Sequence, residues 1–326
     1  MILITGAAGF IGSALACALN RIDNTNLILC DAFGNKEKWK NLLGLRFDQF
    51  VDRSELFSFL EDNPLASDIE TVIHLGACAD TTEHNVDFLY QNNINFSVKL
   101  CKWAVSEGVR FLYASSASVY GDGSLGFSDD DELTPQLRPL NAYGFSKWMF
   151  DMWILEHGLA DKVAGMRFFN VFGPNEYHKD RMASVILRSF PQARDEGKIM
   201  LFESHLDGYG HGEQERDFIY IDEVIEAVLF LLKKRKANGI FNIGTGRAHT
   251  FNQLAEGVFD GLGKKRNIHY FPMPEDLRGR YQYHTQADMR KLQSFGFAGF
   301  SDRFSEYVQK YVREYLNPGY LYYPQV

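Results

Sequence analysis

The chain has 326 residues, 45% of them hydrophobic and 23% charged, a balance that fits a globular protein in water with one large or two interlocked domains. Its 34 Lys and Arg face 42 Asp and Glu, for a formal charge of −8, which speaks against a nucleic-acid binder, since those carry a basic face. A phosphorylated ligand on such a chain must be met by locally gathered cations, so clusters of Lys and Arg are informative.

Ile2-Leu-Ile-Thr5 is a short apolar run, followed by Gly6-Ala-Ala-Gly9-Phe-Ile-Gly12 and a helical pattern to about Arg21. Strand, glycine turn and helix in this order let the backbone approach a pyrophosphate, whose charge meets the helix N-terminus. The spacing is GxxGxxG rather than GxGxxG. Leu27-Ile-Leu-Cys30 predicts the second strand and puts Asp31 at its end, where an acid binds adenosine ribose hydroxyls. Lys36, Lys38, Lys40 and Arg53 follow; they form a solvated face or neutralise a 2′-phosphate, with Lys38 and Arg53 the favoured pair for the latter.

Thr71-Val-Ile-His-Leu75 predicts a strand that runs into the small-residue turn Gly76-Ala-Cys-Ala79, and a long helix is expected from about Asn85 to Glu107. Phe111–Ala114 is the next strand and delivers Ser115 and Ser116 at its end. Strands alternating with helices predict an α/β fold, a Rossmann-type doubly wound parallel sheet with ligands at the carboxyl ends of the strands. Asp122–Pro139 is an acidic, Gly/Pro-punctuated loop.

The helix after it carries Tyr143-x-x-x-Lys147. Residues four apart share a helix face, and a cation beside a phenol is expected to lower its pKa from about 10 and make it an acid/base near neutrality. Standing alone, this motif matches many unrelated surface helices.

Val163–Arg167 predicts a further strand, followed by Phe168-Phe-Asn170-Val-Phe-Gly-Pro174. His178-Lys179-Asp180-Arg181 is a charged cluster, with a helix expected from about Met182. His205–Gln214 predicts a flexible loop. Asp217–Ile221 reads as a strand with Asp222 as helix N-cap, and Gly239–Ile243 and Ile268–Phe271 as strands. Cys17, Cys30, Cys78 and Cys101 show no CxxC spacing and no His cluster completes a metal set, so buried thiols in a reducing compartment and no metal are expected. No apolar run nears ~18 residues and no signal peptide precedes the first strand; a cytoplasmic protein without membrane contact is expected.

In this order Gly6, Gly9, Gly12, Ser116, Tyr143 and Lys147 resemble the extended short-chain dehydrogenase/reductases that act on nucleotide sugars. The likeness narrows over Gly76-Ala-Cys with Thr81-Thr-Glu83, Tyr113-Ala-Ser-Ser116, Phe169–Pro174, His178-Lys179 with Met182-Ala-Ser184, Arg216-Asp-Phe218, and Gly279-Arg-Tyr-Gln282 with Thr285-Gln-Ala-Asp288. These segments, spread over nearly the whole chain, resemble the ADP-L-glycero-D-manno-heptose 6-epimerases. The resemblance implies an isomerase that inverts C6 of ADP-heptose with bound NADP (NAD being the second choice), for lipopolysaccharide core heptose supply, as a homo-oligomer, a pentamer in that family. It implies NADP contacts from Gly6, Gly9, Phe10, Ile11, Gly12, Asp31, Ala32, Lys38, Arg53, Leu75, Gly76, Ala77, Cys78, Ala79, Asn92, Lys147, Val171 and Lys179. It makes Ser116, Tyr143, Lys147 and Lys179 the catalytic set, and Ser116, Asn170, Arg181, Arg188, Phe202, Glu203, Ser204, His205, Arg216 and Tyr281 the substrate contacts. Residues 1–169 with 218–246 would form the NADP-binding domain, and 170–217 with 247–326 a smaller, discontinuous α/β substrate domain.

The chain departs from that pattern at Arg53, where a lysine is expected, and at Arg181 and Arg188, in place of a serine and a histidine. Its His205–Gln214 loop is also longer. Three other readings compete. A 4,6-dehydratase needs an acid pair after the catalytic Ser, where Ala117-Ser118 stands. A UDP-sugar 4-epimerase leaves His178-Lys179 without a purpose. A non-catalytic NADP-binding regulator has no use for a proton donor.

Overall fold

A computed structural model of the chain describes residues 1–34, 36–278 and 281–323. Seven strands, Ile2–Thr5 (β1), Leu27–Asp31 (β2), Gln49–Asp52 (β3), Thr71–His74 (β4), Arg110–Ser116 (β5), Val163–Phe168 (β6) and Gly239–Ile243 (β7), form one sheet in the order β7-β6-β5-β4-β1-β2-β3. All six pairings are parallel. Every residue of β2, β4, β6 and β7 is buried, so these strands are mostly apolar along their whole length, as a sheet covered on both faces requires.

Alternate strand residues serve opposite faces. Ile4, Leu29, Ile73 and Leu112 pack with Ala14 and Leu15 of helix α1 (Phe10–Arg21) in one core cluster. Leu3, Ile28, Val72 and Phe111 pack in the other with Leu100 of the helical run 86–106 (α2) and Ile154 of Ala142–Glu156 (α3). The chain reverses its spatial order between β1 and β4, and the crevice at their carboxyl ends is where a doubly wound sheet binds ligands.

Beyond the sheet, Val185–Pro191 (α4), Ile221–Lys233 (α5) and Phe251–Leu262 (α6) accompany three small strand pairs. Asn170–Phe172 lies parallel to Phe218–Tyr220, and Ile199–Phe202 parallel to Ile268–Phe271, while Glu215–Arg216 runs antiparallel to His249–Thr250. No helix among the described residues is long and apolar enough to cross a membrane.

Several details differ from expectation. The long helix contains a π turn at Tyr90–Asn95, and such turns mark functional positions. The helix expected from Met182 begins at Val185, capped by the Ser184 hydroxyl, which accepts from Leu187 N at 3.2 Å. Tyr220, not Asp222, occupies the N-cap of α5; Asp222 sits in its first turn. Of the four cysteines only Cys17, Cys30 and Cys101 are buried; Cys78 is half-buried. Gly279 and Arg280 of the Gly279–Gln282 segment lie outside the described residues, as do 324–326 of the expected substrate domain.

Candidate active site

The glycine turn opens a cradle at the end of β1. Gly6 has φ +68°, and a Cβ there would lie 2.6 Å from Gly76 N; one on Gly12 would lie 2.3 Å from Gly6 O. Bare backbone at this point leaves N–H groups facing outward at the start of α1, the arrangement that receives a pyrophosphate. Gly9 is the N-cap, and Phe10, Ile11 and Gly12 form the first turn. The adjoining cleft is lined by Gly6, Asp31, Ala32, Lys38, Arg53, Gly76, Ala77, Cys78 and Asn92, all expected, and by Thr5, Cys30, Phe88 and Phe96, which were not. Leu75 and Ala79 flank the Gly76–Cys78 turn, Leu75 N donating to Thr5 O at 3.1 Å. A phosphate cradle, two cations and one acid in a single cleft fit a dinucleotide.

Asp31 is already committed. Its Oδ2 accepts from Ala8 N at 2.9 Å, and its Oδ1 from Ala32 N at 2.7 Å and Lys38 Nζ at 2.6 Å. Arg53 donates to the Asn92 side chain, so the π turn is tied to the end of β3.

A run of side chains that spacing does not reveal holds the turn after β4. Thr5 Oγ1 accepts from Gly76 N at 3.2 Å and bonds His74 Nδ1 at 2.6 Å; His74 Nε2 meets Ser97 Oγ at 2.8 Å. Burial pushes the His74 pKa down to about 3, so the imidazole is neutral. Ser97 Oγ donates to Asn93 O at 2.6 Å. The Asn93 side chain accepts from Cys78 N at 2.9 Å and donates to Cys78 O and to Ser146 Oγ, both at 3.0 Å. Asn93 thereby joins the Gly76–Cys78 turn to the helix of Tyr143. The legible signals were slight: a His inside an apolar strand and the Asn pair in the π turn.

Strand β5 delivers Ser115 and Ser116, and Asn141 starts α3 by accepting Gly144 N at 2.8 Å on its side chain, a strong N-cap. The Ser116 hydroxyl accepts from Ser118 N at 3.2 Å and donates to Ser118 Oγ at 3.1 Å, and it lies close enough to the Tyr143 phenol to act on its pKa. Tyr143 and Lys147 are thus brought to Ser116, but the expected electrostatics differ. Burial raises the Tyr143 pKa, and Ser116 only partly offsets this. The buried Lys147 directs Nζ to Ala114 O at 2.8 Å, and burial lowers its own pKa to about 8, with Asp151 and Cys78 pulling the other way. At Tyr143 the cost of burying a phenolate outweighs what its neighbours return.

Beneath them Asp151 and Arg167 form a fully buried pair at 2.9 Å. Asp151 also accepts from Tyr113 OH at 3.0 Å and Ser115 Oγ at 2.9 Å. Arg167 also donates to Tyr120 OH at 3.1 Å and Thr134 Oγ1 at 2.9 Å.

Lys179 sits in the 3-10 turn Tyr177–Met182, its Nζ 5.4 Å from the centre of the Phe10 ring, which puts it beside the glycine turn. Burial depresses its pKa; Glu176 opposes this. The turn is pinned by Lys36 to Asp180 at 2.7 Å, Arg181 to Asp80 at 2.8 Å, and Asn41 Nδ2 to His178 Nδ1 at 3.4 Å. Arg181 is therefore spent on Asp80, whose pKa it holds down to about 2.

The remaining expected contacts divide into two places. Asn170 and Val171 lie on the strand paired with Phe218–Tyr220. Phe202 and Arg216 gather around Tyr281: the Phe202 ring lies 6.2 Å from it and the Arg216 guanidinium 5.0 Å, and Arg188 acts on the same phenol. The loop expected to be flexible is tied at its start and to its own far side: Glu203 N donates to Phe271 O at 2.9 Å, Ser204 N to His211 Nδ1 at 3.0 Å, and His205 N to Tyr283 OH at 2.9 Å.

A model of the NAD dependent epimerase/dehydratase family matches residues 2–244. An ADP-L-glycero-D-manno-heptose-6-epimerase of Nitratidesulfovibrio vulgaris (strain DP4) is 45% identical over 319 residues, 97% of this chain and 98% of that protein. One of Fusobacterium nucleatum is 39% identical over 325 residues, 97% of this chain and 98% of that protein. Among solved structures, the Helicobacter pylori ADP-L-glycero-D-manno-heptose-6-epimerase aligns with TM-score 0.78 at 27% identity, covering 97% of this chain and 95% of that one. A UDP-N-acetylglucosamine 4-epimerase of Methanobrevibacter ruminantium aligns with TM-score 0.76 at 26% identity, covering 97% and 98%.

Proposed function

We propose, from the premise that this chain belongs to the NAD dependent epimerase/dehydratase family and within it to the ADP-L-glycero-D-manno-heptose-6-epimerases, that it interconverts ADP-D-glycero-D-manno-heptose and ADP-L-glycero-D-manno-heptose by transient oxidation at C6. The observation that carries this is that Tyr143 and Lys147, one turn apart on α3, both meet the end of β5, Tyr143 beside Ser116 and Lys147 at Ala114 O, with a second desolvated lysine, Lys179, beside the glycine turn. A bound nicotinamide supplies the hydride acceptor and donor for C6. Ser116 orients the reacting hydroxyl, and Tyr143 takes and returns its proton. Lys147 holds the cofactor ribose and steadies the phenol. Lys179 is the second acid/base, so each orientation of the sugar meets its own proton carrier. Residues 170–217 and 247–326 hold the nucleotide sugar and keep the ketone from water.

The purified protein should invert C6 of ADP-heptose in deuterated water without incorporating deuterium at that carbon, because the hydrogen removed returns from the cofactor. Mass spectrometry or NMR of the product reads this directly. Solvent deuterium at C6 would replace direct oxidation with deprotonation beside a carbonyl elsewhere on the sugar.

We read the cofactor as NADP. What supports this is Asp31, whose charge Lys38 cancels at 2.6 Å, with Arg53 lining the same cleft. An acid so occupied no longer repels a 2′-phosphate. Changing Lys38 and Arg53 together to Ala should weaken NADP by about 10–100-fold, the scale of one to two charge-assisted bonds, and NAD much less. Titration of both cofactors checks it; equal losses would mean that these cations do not read the phosphate. The homo-oligomer that the resemblance implies is open to sedimentation analysis.

A further inference from the structure

We propose that Tyr209, carried by the long loop between Phe202 and Arg216, stacks on the base of the nucleotide sugar and so helps to set nucleotide specificity; this rests on the reading of the chain as a nucleotide-sugar epimerase. The loop is built rather than loose. Gly212 N donates to Phe202 O at 3.3 Å, Asn252 N to Gly212 O at 3.0 Å and Phe251 N to Gln214 O at 3.2 Å, while Asn252 Nδ2 donates to His211 O at 3.0 Å. These bonds anchor its ends to the start of α6 and leave Tyr209 at its crown, half-buried. The Tyr209 ring lies 5.2 Å from that of Tyr283, which lies 5.6 Å from Tyr281.

Next to these rings is Arg216, 8% exposed. Its Nη1 donates to Glu215 O at 2.7 Å, and among the described residues no carboxylate pairs with it. Its guanidinium lies 5.0 Å from the centre of the Tyr281 ring, at the end of the row of rings that begins with Tyr209. A desolvated guanidinium without a counter-ion suits a diphosphate, and half-exposed aromatic rings suit a planar base. The two chemistries lie side by side, as in a nucleoside diphosphate. A loop held in place by its own hydrogen bonds also costs little ordering on binding.

The test uses the full-length protein and three probes: ADP, inorganic pyrophosphate and ADP-heptose. Tyr209→Ala should weaken ADP by about 10-fold or more, the effect of losing one base–aromatic stack, with pyrophosphate affinity unchanged. KM for ADP-heptose should rise in parallel while kcat holds within about twofold, and Tyr209→Phe, which keeps the ring, should restore both. Unchanged ADP affinity in Tyr209→Ala would overturn the proposal, as would an equal loss for pyrophosphate or a rise in KM without weaker ADP. If the unaltered protein binds ADP in this way but does not epimerise ADP-heptose, the proposed function fails and the stacking role stands.

Discussion

Replacing Lys179 by methionine or Tyr143 by phenylalanine should each lower the rate of epimerisation by about 10²–10⁴-fold, the usual cost of one positioned acid/base. Methionine keeps the bulk and flexibility of the lysine stem without its charge, and phenylalanine removes only the hydroxyl. The surroundings of both residues fit proton transfer. Burial lowers the Lys179 pKa, which brings its neutral form closer to working pH. Burial raises that of Tyr143, which favours the protonated phenol, the form that returns a proton to the oxygen as the ketone is reduced; taking the proton from the alcohol requires its phenolate. Cofactor content and melting temperature should stay near those of the unaltered protein. Epimerisation at the normal rate by Lys179→Met would remove the second base and leave Tyr143 to serve both orientations.

The largest effect on stability is expected from Asp151. Changing it to Ala should cost about 3–5 kcal/mol, as when one partner of a buried ion pair is removed. The reason is what remains: Arg167, fully buried, would keep only the neutral Tyr120 and Thr134 as bonded partners, with the Tyr120 ring 5.1 Å from its guanidinium carbon. Tyr113 OH and Ser115 Oγ would lose their acceptor as well. Exchanging Asp151 and Arg167 together for apolar residues should cost less than Asp151→Ala alone, since no charge is stranded. Urea unfolding of the three variants decides it. A loss below about 1 kcal/mol in Asp151→Ala would mean that water reaches the guanidinium.

What the sequence made legible follows the range of the contacts. The glycine turn and the helix that carries Tyr143 and Lys147 depend on spacing within a few residues, and both elements fall where expected. Strand β3 escaped because Gln49–Asp52 is a sheet edge with one buried residue of four. The run from Thr5 through His74 and Ser97 to Asn93 and Ser146 joins residues up to 69 apart, which no local pattern encodes. The direction of the Tyr143 shift escaped for a related reason: spacing places Lys147 nearby, but only the fold decides how much water is left and that Ala114 O takes the ammonium. Arg181 was legible as a cation, whereas its engagement with Asp80 depends on how two distant turns meet.

The two residues proposed as proton carriers are anchored by different physics. Tyr143 stands on interior hydrogen bonds between uncharged groups, from the neutral His74 to Asn93 and Ser146. The turn that carries Lys179 is held by the Asn41–His178 bond and by buried Glu176, but also by ion pairs at the surface, Lys36 with Asp180 and Arg181 with Asp80, which salt screens over about 10 Å at 0.1 M. Surface substitutions can therefore retune one proton carrier while the other stays as it is. That separation would let charge changes at the surface adjust the Lys179 turn while the interior around Tyr143 stays under much tighter packing constraints.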